Sequence, residues 1–436
     1  MKIKNHMPLK ILSTADLHLG RSASSVPENA EESSTKYTWN RMVDWSIKNE
    51  IDVLLLLGDV VDRNNRYYEA IGHLQAGFEK LKQAEIEVYM VAGNHDYDVL
   101  PEMVKGDRYN NVNLLGFNGE WEVKIFSKNG EQIQLVGWSF PKQFVTEDPL
   151  LNFNNVNIDP NYPAIGLLHG DVDNRESKYG PIGLNNLTNK PIGAWILGHI
   201  HKPQELKDNA PLIWYPGSPH AMSAKEPGIH GPLLLTVEGA NDIKATPVPL
   251  SPLRYEHISV DITNAEDEDR LRDTITSALF NNANEKVKEL EEVAFLVYDI
   301  CLVGEHATIR EIESWALPIV DDYEQEMGSG TRLSVRKVVN NIRPAVENLE
   351  ELAKEPSPAG MLAETILAVQ NGRSTTFLDE LLKKWNGKSD EMNNSGTYQP
   401  LRAAEKLNEM TSEDAKANIL QECNRLLGEL ISQQVK

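Results

Sequence analysis

Five short clusters of histidine, acidic and asparagine residues lie within residues 16–201 of this sequence. In chain order they are Asp16-Leu17-His18, Gly58-Asp59-Val60-Val61-Asp62, Gly93-Asn94-His95-Asp96, His169-Gly170 and Gly198-His199-Ile200-His201. Carboxylate, amide oxygen and imidazole groups together suit Mn²⁺, Fe²⁺ or Zn²⁺ better than Ca²⁺. The candidate ligands outnumber the three or four protein groups that hold one catalytic ion, so the clusters favour two ions with one bridging carboxylate.

The chemistry that such a pair of ions indicates is phosphoester hydrolysis. Two divalent ions about 3.5–4 Å apart clamp the attacking and leaving oxygens of a phosphoester and generate hydroxide at neutral pH. Each cluster alone is more often a turn or a core histidine, and only the set of five favours a metal site. The other histidines have no such neighbours and are interpreted as core or surface residues: His6, His73, His220, His230, His257 and His306.

Each cluster directly follows an apolar run that is typical of a buried strand. The runs cover residues 11–13, 53–57, 86–91, 165–168 and 194–197. Ligands of α/β sheets collect at the carboxyl ends of strands, so we expect the five clusters to meet at one sheet edge. In D-x-H and H-x-H the polar side chains are two residues apart and point the same way in an extended backbone.

The spacing of apolar residues predicts the elements that surround these strands. Helical spacing over 37–48 and 67–84 indicates a βαβα order and a layered α/β sheet. Further strands are predicted at 121–126, 132–138, 164–168, 194–197, 212–215 and 232–237. They either continue this sheet or form a second one packed on it.

The second half of the chain has a different pattern. Residues 247–252, PVPLSP, have the composition of a linker. A small α+β domain is predicted beyond them, with strands 254–262, 293–303 and 331–340 and helices 266–282 and 307–315. The remainder is predicted to be helical at 359–370, 376–385 and 412–433, with a loose polar stretch at 388–398.

The helix predicted at 412–433 carries an apolar stripe at spacings of three and four residues. Its members are Ala415, Ile419, Cys423, Leu426, Leu427 and Ile431. A second stripe lies in 359–370. Such stripes must be buried, either on this chain's own α+β domain or in the groove of a partner.

Composition excludes several classes of protein. Among 436 residues there are two cysteines, too few for a disulfide framework or a cysteine zinc site. So few cysteines fit a reducing, cytoplasmic setting. No apolar run reaches the roughly 18 residues of a membrane span, so we expect no membrane segment. The sequence also lacks the Walker A motif of ATP-binding proteins. The net charge is −22, so binding of nucleic acid would need a local basic strip or bound metal ions.

The order D-x-H, G-D-x-x-D, G-N-H-D, H and G-H-x-H resembles the calcineurin-like metallophosphoesterase superfamily. Within it, the segments DLHLG, LLHG followed by KYGPIGLNNL, GHIHKPQ, YPGSP and EPGIHGPLLLTVEG resemble bacterial SbcD-type and YhaO-type DNA repair exonucleases. The resemblance covers about residues 9–240 and extends weakly through the α+β domain. It implies a four-layer α/β/β/α sandwich with a small α+β cap and a helical C-terminal segment. The implied domains are a nuclease domain (1–250), a capping domain (251–355) and a candidate partner-binding segment (356–436).

The resemblance also implies roles for single residues. One ion would be held by Asp16, His18, Asp59 and His201. The second would be held by Asp59, Asn94, His169 and His199, with Asp59 bridging. His95 would be the general acid that protonates the leaving 3′ oxygen, or it would steer the phosphate, and Asp96 would orient it.

Residues beside the motifs are candidates for holding the phosphate. Asp62 stands where some family members have a histidine, and it either acts in the reaction or only braces the metal loop. Arg21, Arg63 and Arg66 are candidate contacts to DNA phosphates, whereas Lys202 is interpreted as an exposed charge.

The function that the resemblance implies is a DNA phosphodiesterase with two divalent ions, for which Mn²⁺ is the expected metal. It would act as an exonuclease at DNA ends in repair or defence. An SMC-like ATPase subunit is implied as a partner, with a homodimer inside the complex. Two alternatives stay open: a small-molecule phosphodiesterase or phosphatase of the same superfamily, and a catalytically silent subunit of a larger assembly.

Overall fold

A computed structural model describes residues 8–27, 29–62, 69–105, 109–239, 242–307, 309–346, 348–393, 395 and 411–434. The chain forms two compact units that interleave along the sequence. The first contains Met1–Glu256, Lys286–Val297 and Gln325–Ser334, and the second contains His257–Glu285, Tyr298–Glu324 and Val335–Lys436. Compact units are not by themselves independently folding domains, so the division at residues 250 and 355 stays a prediction.

The first fourteen strands of the chain lie in the first unit. They are β1 (Leu9–Thr14), β2 (Val53–Leu57), β3 (Glu87–Val91), β4 (Val112–Leu114), β5 (Glu122–Lys128), β6 (Glu131–Gly137), β7 (Ala164–His169), β8 (Asp171–Val172), β9 (Pro181–Ile182), β10 (Ala194–Gly198), β11 (Gln204–Lys207), β12 (Leu212–Tyr215), β13 (Leu233–Gly239) and β14 (Asp242–Pro247). The helices among them are α1 (Thr35–Lys48), α2 (Glu69–Gln83), α3 (Leu100–Met103) and α4 (Leu184–Thr188).

Two six-stranded sheets organise this unit. The first has the spatial order β14-β13-β1-β2-β3-β4, and the second has the order β11-β12-β10-β7-β6-β5. Strands β1 to β4 run parallel to one another, as do β6, β7, β10 and β12. All five residues of β2 are buried, which is typical of a parallel strand covered on both faces.

The two sheets pack face to face, with helices outside. Leu55 of the first sheet and Ile165 of the second belong to one apolar core between the sheets. Outside the first sheet, Trp39 of α1 and Phe78 of α2 lie in a second core. Outside the second sheet, a third core includes Leu187 of α4. The predicted α/β/β/α order is therefore confirmed, and the later strands form a second sheet.

Helix α1 shows how local sequence determines an element here. Ser34 caps it, because its side chain accepts a hydrogen bond from the backbone N–H of Lys36. Trp39, Met42 and Val43 then recur on one face and are fully buried. Burial of this stripe against the first sheet stabilises the helix more than its intrinsic propensity does.

A further, four-stranded sheet has the order β15-β16-β19-β18. The remaining elements are β15 (Leu253–Asp261), α5 (Glu268–Glu285), β16 (Phe295–Val303), β17 (Glu305–His306), α6 (Ile309–Asp322), β18 (Glu324–Glu326), β19 (Arg332–Asn340), β20 (Arg343–Pro344), α7 (Leu349–Leu352), α8 (Pro358–Gln370), α9 (Thr376–Asn393) and α10 (Ser412–Gln434). The α+β pattern predicted for this region matches these elements.

The apolar stripe of α10 is buried within the second unit. Ile419, Cys423 and Leu427 pack with α8 and α9 in one core. Helix α10 also contacts α6 and β20, and a Cβ atom on Gly428 would lie 2.8 Å from Ile309 of α6. The structure therefore buries this stripe within the chain itself, in a core shared with α8 and α9, and places the helix against α6 and β20 of the α+β region as well.

Candidate metal centre

The five clusters lie at the carboxyl ends of parallel strands, as predicted. Asp16 and His18 follow β1, Asp59 follows β2, and Asn94 follows β3 of the first sheet. His169 is the last residue of β7 in the second sheet. His199 and His201 follow β10. The two sheets thus each present ligand candidates at the same end of the sandwich.

The backbone at this edge is strained. Asp16, His18, Asp59 and His199 have φ values of 51°, 44°, 50° and 100°, a left-handed region that residues other than glycine rarely adopt. Backbone hydrogen bonds hold them there, such as His18 N–H to Asp59 O at 2.9 Å. Strain of this kind costs about 1–3 kcal/mol per residue and clusters at functional sites.

Close packing explains the glycine in the second cluster. Gly58 has a φ of 83°, and a Cβ atom on it would lie 2.6 Å from His169 Nδ1. The loop after β2 can therefore approach the second sheet only because this residue has no side chain.

One group of ligand candidates forms around His18 and His201. Their Nε2 atoms are 3.2 Å apart, and His201 Nε2 lies 4.0 Å from the Asp16 carboxylate. His201 Nδ1 donates to Glu226 at 3.0 Å, so in the neutral ring Nε2 carries a lone pair. Acceptor atoms 3–4 Å apart have the spacing of ligands that lie about 2.0–2.2 Å from a common ion.

A second group forms around His169. Its Nδ1 donates to the Leu57 carbonyl at 2.9 Å, which leaves an acceptor at Nε2 in the neutral ring. That Nε2 atom lies 3.1 Å from Asn94 Oδ1 and 3.5 Å from Asp59 Oδ2. Three acceptors face one another here as well, an arrangement that a cation would stabilise.

Asp59 lies between the two groups. Sets of ligand atoms within 4.8 Å of one another are Asp16, His18 and His201; His18, Asp59 and His95; and Asp16, Asp59 and His169. The Asp59 carboxylate also accepts from the His95 backbone N–H at 2.8 Å. Its position suits a bridge between two ions.

His199 completes the edge beside His169, with ring centroids 5.4 Å apart. Its backbone N–H donates to both oxygens of Asp16, at 2.9 and 3.2 Å. The ring centroid of Tyr179 lies 5.1 Å from that of His199. Tyr179 belongs to KYGPIGLNNL, a segment that carried the resemblance without an assigned role.

The electrostatics of the centre reflect burial opposed by close charges. Burial raises the pKa of Asp16. For Asp59, nearby His169, His18 and His95 outweigh burial and lower the pKa. Burial and the neighbouring His169 lower the pKa of His199 to about 3, so this ring is neutral and available as a ligand at neutral pH. The charge environment therefore favours an ionised carboxylate at the centre of the site.

His201 has the opposite shift. Burial would lower its pKa, but the hydrogen bond to Glu226 and the charges of Asp16 and Glu226 raise it to about 9. Without a metal ion, a proton on this ring thus balances the surrounding acids. Metal binding would displace that proton from Nε2.

His95 lies at the rim of the centre, where a third of its side chain is exposed. The carboxylate that faces its Nδ1 atom is Asp62, at 3.8 Å. Asp96 is fully buried, and its oxygens instead accept from the backbone N–H groups of Gly93, Val60 and Val61. Through these bonds Asp96 ties the loops after β2 and β3 together, and its role in orienting His95 stays a prediction.

Asp62 is shared by two histidines. Its Oδ1 atom lies 3.5 Å from His18 Nδ1 as well as 3.8 Å from His95 Nδ1. The Arg21 guanidinium is 4.0 Å from the same oxygen, with 43% of its side chain exposed. These contacts favour the bracing role for Asp62. Arg63 and Arg66 lie outside the described residues.

Glu226 was missed by the sequence analysis, and no spacing signal connects it to His201. It belongs to EPGIHGPLLLTVEG, a segment that carried the resemblance without an assigned role. His220 and His230 lie near it, buried and hydrogen-bonded, as was predicted for core histidines.

Comparisons with known proteins agree with this geometry. Residues 9–203 match the family model described as calcineurin-like phosphoesterase. The protein named uncharacterized metallophosphoesterase YhaO of Bacillus subtilis is 31% identical over 267 residues, which cover 59% of this chain and 64% of that protein. The SbcD component of the nuclease SbcCD from Staphylococcus epidermidis is 24% identical, over 63% of this chain and 77% of that protein. DNA double-strand break repair protein Mre11 of Sulfolobus acidocaldarius is 24% identical, over 50% and 56%.

Among the described residues, no helix is both long enough and apolar enough to cross a bilayer.

Proposed function

Residues 9–203 form a calcineurin-like phosphoesterase domain, as the order of the clusters predicted, and from this premise we propose that the chain is a DNA phosphodiesterase. It uses two divalent ions and acts as an exonuclease at DNA ends. The observation that carries the proposal is the convergence of acceptor atoms from five strand ends, 3–4 Å apart, on two adjacent points.

The two ions have four protein ligands each in this proposal. Asp16, His18, Asp59 and His201 hold one. Asp59, Asn94, His169 and His199 hold the other. When bound, such ions supply an activated water and neutralise the charge that develops on the phosphate, and Mn²⁺ suits this mixture of oxygen and nitrogen ligands.

His95 supplies the proton to the leaving 3′ oxygen. Its exposed rim position lets a substrate phosphate approach. Burial lowers the pKa of His95, whereas the nearby Asp59 and Asp62 carboxylates favour the imidazolium form, which is the form that can donate a proton from Nε2. Asp62 and Arg21 support the loop around His18, and Arg21 is partly exposed where it can contact a phosphate. Arg63 and Arg66 remain candidates for the same role.

The choice of DNA rests on the relatives. A nuclease component and a DNA double-strand break repair protein are among the proteins that this chain resembles. By the same argument, an SMC-like ATPase is the expected partner, within a complex that contains two copies of this chain. Action in DNA repair or in defence is compatible with such an assembly.

In the decisive experiment, purified protein with Mn²⁺ is incubated with two kinds of substrate in parallel. These are end-labelled DNA, single- and double-stranded, and bis-p-nitrophenyl phosphate. We expect both to be hydrolysed, with DNA shortened from its ends. Hydrolysis of the small ester alone, with and without an ATPase partner, would favour a small-molecule phosphodiesterase, and hydrolysis of neither would favour a silent subunit.

A further inference from the structure

Glu226 holds the ring nitrogen of His201 that faces away from the other ligand candidates. Its Oε1 atom accepts from His201 Nδ1 at 3.0 Å, while His201 Nε2 lies 3.2 Å from His18 Nε2. A neutral imidazole has one N–H, so a proton held at Nδ1 leaves the lone pair at Nε2. We infer that Glu226 is a positioning residue that keeps His201 in its metal-binding tautomer, an inference that rests on the metal assignment of the proposed function.

The geometry requires a carboxylate at this position. The second oxygen of Glu226 accepts from the backbone N–H of Met222 at 3.0 Å and lies 3.4 Å from Ser218 Oγ. The side chain is only 14% exposed, so water does not readily replace these partners. Donors thus approach both oxygens of Glu226. A glutamine amide has the same shape but only one acceptor oxygen, so its NH₂ group would face one of these donors.

The loop at residues 217–230, which we call the support loop, fixes Glu226 relative to His201. Ser218 N–H donates to the His201 carbonyl at 2.8 Å. Gly217 has a φ of 77°, and a Cβ atom there would lie 2.5 Å from that same carbonyl. His230 spans the loop, with Nδ1 2.8 Å from Ser218 O and Nε2 3.1 Å from Glu226 O.

The support loop is also anchored to the segment after β1. The Met222 carbonyl accepts from Ser24 N–H at 3.0 Å. His220 lies between Thr38 Oγ1, at 2.7 Å, and the Ser33 carbonyl, at 3.1 Å. Glu226 is therefore presented to His201 by a rigid loop, as expected of a group that orients a metal ligand.

The test compares the isosteric variant Glu226→Gln with the wild type by titrating metal-free protein with Mn²⁺ and Co²⁺. Glu226→Gln keeps the packing, so a merely structural role would leave metal binding intact. We expect one of the two ions to bind about 10- to 100-fold more weakly, the usual effect of removing such a partner. The Co²⁺ absorption bands of that site should change, while the thermal midpoint of the metal-free protein stays within a few degrees.

Lys225→Gln is the matched control, since it changes an exposed neighbour in the same loop and should bind both ions normally. Glu226→Gln that binds both ions as tightly as the wild type, with the same Co²⁺ spectrum, overturns the inference. Normal ion binding without cleavage of DNA by the wild type would instead contradict the proposed function and leave this inference standing. A wild type that binds no divalent ion would overturn both.

Discussion

The Asp59 carboxylate lies within 4.0 Å of ring nitrogens of both His95 and His169, and Asp59 is only 2% exposed. It is the one carboxylate assigned to both ions in the proposed mechanism. Its loss would take a ligand from each ion and leave two positive charges without the anion between them. The substitution therefore tests the dinuclear assignment more directly than any other single change.

We predict that Asp59→Ala loses metal and activity together. The fold should persist, because the sheets around it are held by apolar cores, and removing a buried strained acid costs them little. Metal analysis after dialysis against a defined Mn²⁺ concentration measures the loss of metal. A circular dichroism melt measures whether the fold persists. Asp44→Ala, a change of an exposed acid on α1, is the control. Two bound ions in Asp59→Ala would contradict a bridge.

His95→Ala should behave differently. The proposal makes His95 a proton donor, so the variant should keep both ions and still bind DNA, and cleavage should fall about 10²- to 10⁴-fold. Single-turnover rates alongside metal content separate the two effects. His73→Ala, an exposed histidine on α2, provides the comparison. If His95→Ala lost an ion, His95 would have to be reassigned as a ligand.

Strands and helices with clear apolar patterns were predicted close to their observed bounds. The strand 212–215 coincides with β12, and α8 and α10 differ from prediction by one residue. The edge strands β11 (QELK) and β14 (DIKATP) were missed, because edge strands exposed to solvent have little apolar alternation.

Tertiary packing explains the other differences. Helix α6 continues through Pro318 to Asp322, since Ala316 and Ile319 are buried on one face. The 247–252 segment resembles a linker in composition, yet Val248 and Leu250 are buried and Val248 N–H donates to Pro232 O at 2.8 Å. Helix α9 extends to Asn393, over part of the stretch expected to be loose.

The positions of the candidate ligands at the strand ends could be predicted from the sequence, whereas the contacts that support them could not. Asp16, His18 and their counterparts are marked by residue type and by position after a strand. The roles of Asp96 and Glu226 depend on distances between segments far apart in sequence, 36 residues between Val60 and Asp96 and 25 between His201 and Glu226. Local patterns do not encode such distances.

The packing of α10 leads to a prediction about stability. Leu427 is fully buried between α10 and its neighbours, so Leu427→Ala should destabilise the second unit by about 2–5 kcal/mol. Urea denaturation followed by circular dichroism measures this loss. Met361→Ala on α8, where 42% of the side chain is exposed, should change stability little. Metal content should be unaffected in both variants. A loss of ions from Leu427→Ala would contradict a destabilisation that is confined to the second unit.

A chain with a net charge of −22 must bind DNA through local contacts to phosphates, and such contacts make cleavage depend on salt concentration. Contacts to phosphates release counterions, so we expect DNA cleavage with Mn²⁺ to decline as salt rises, with a linear relation between the logarithms of affinity and salt concentration. Hydrolysis of bis-p-nitrophenyl phosphate should decline much less, because that ester lacks an extended phosphate backbone. DNA cleavage that is insensitive to salt would argue against a binding surface for the DNA backbone.

Each proposed ion takes ligands from both sheets: Asp16 and His201 for one, Asn94 and His169 for the other. Such an ion cross-links the two sheets of the sandwich. The cross-link can form only once the two sheets have packed against each other. Its binding energy is therefore also folding energy. At a free concentration 100 times its dissociation constant, one ion adds about 2.7 kcal/mol to the stability of the folded state. A chelator would then act on this protein as a denaturant does, loosening the docking of one sheet on the other.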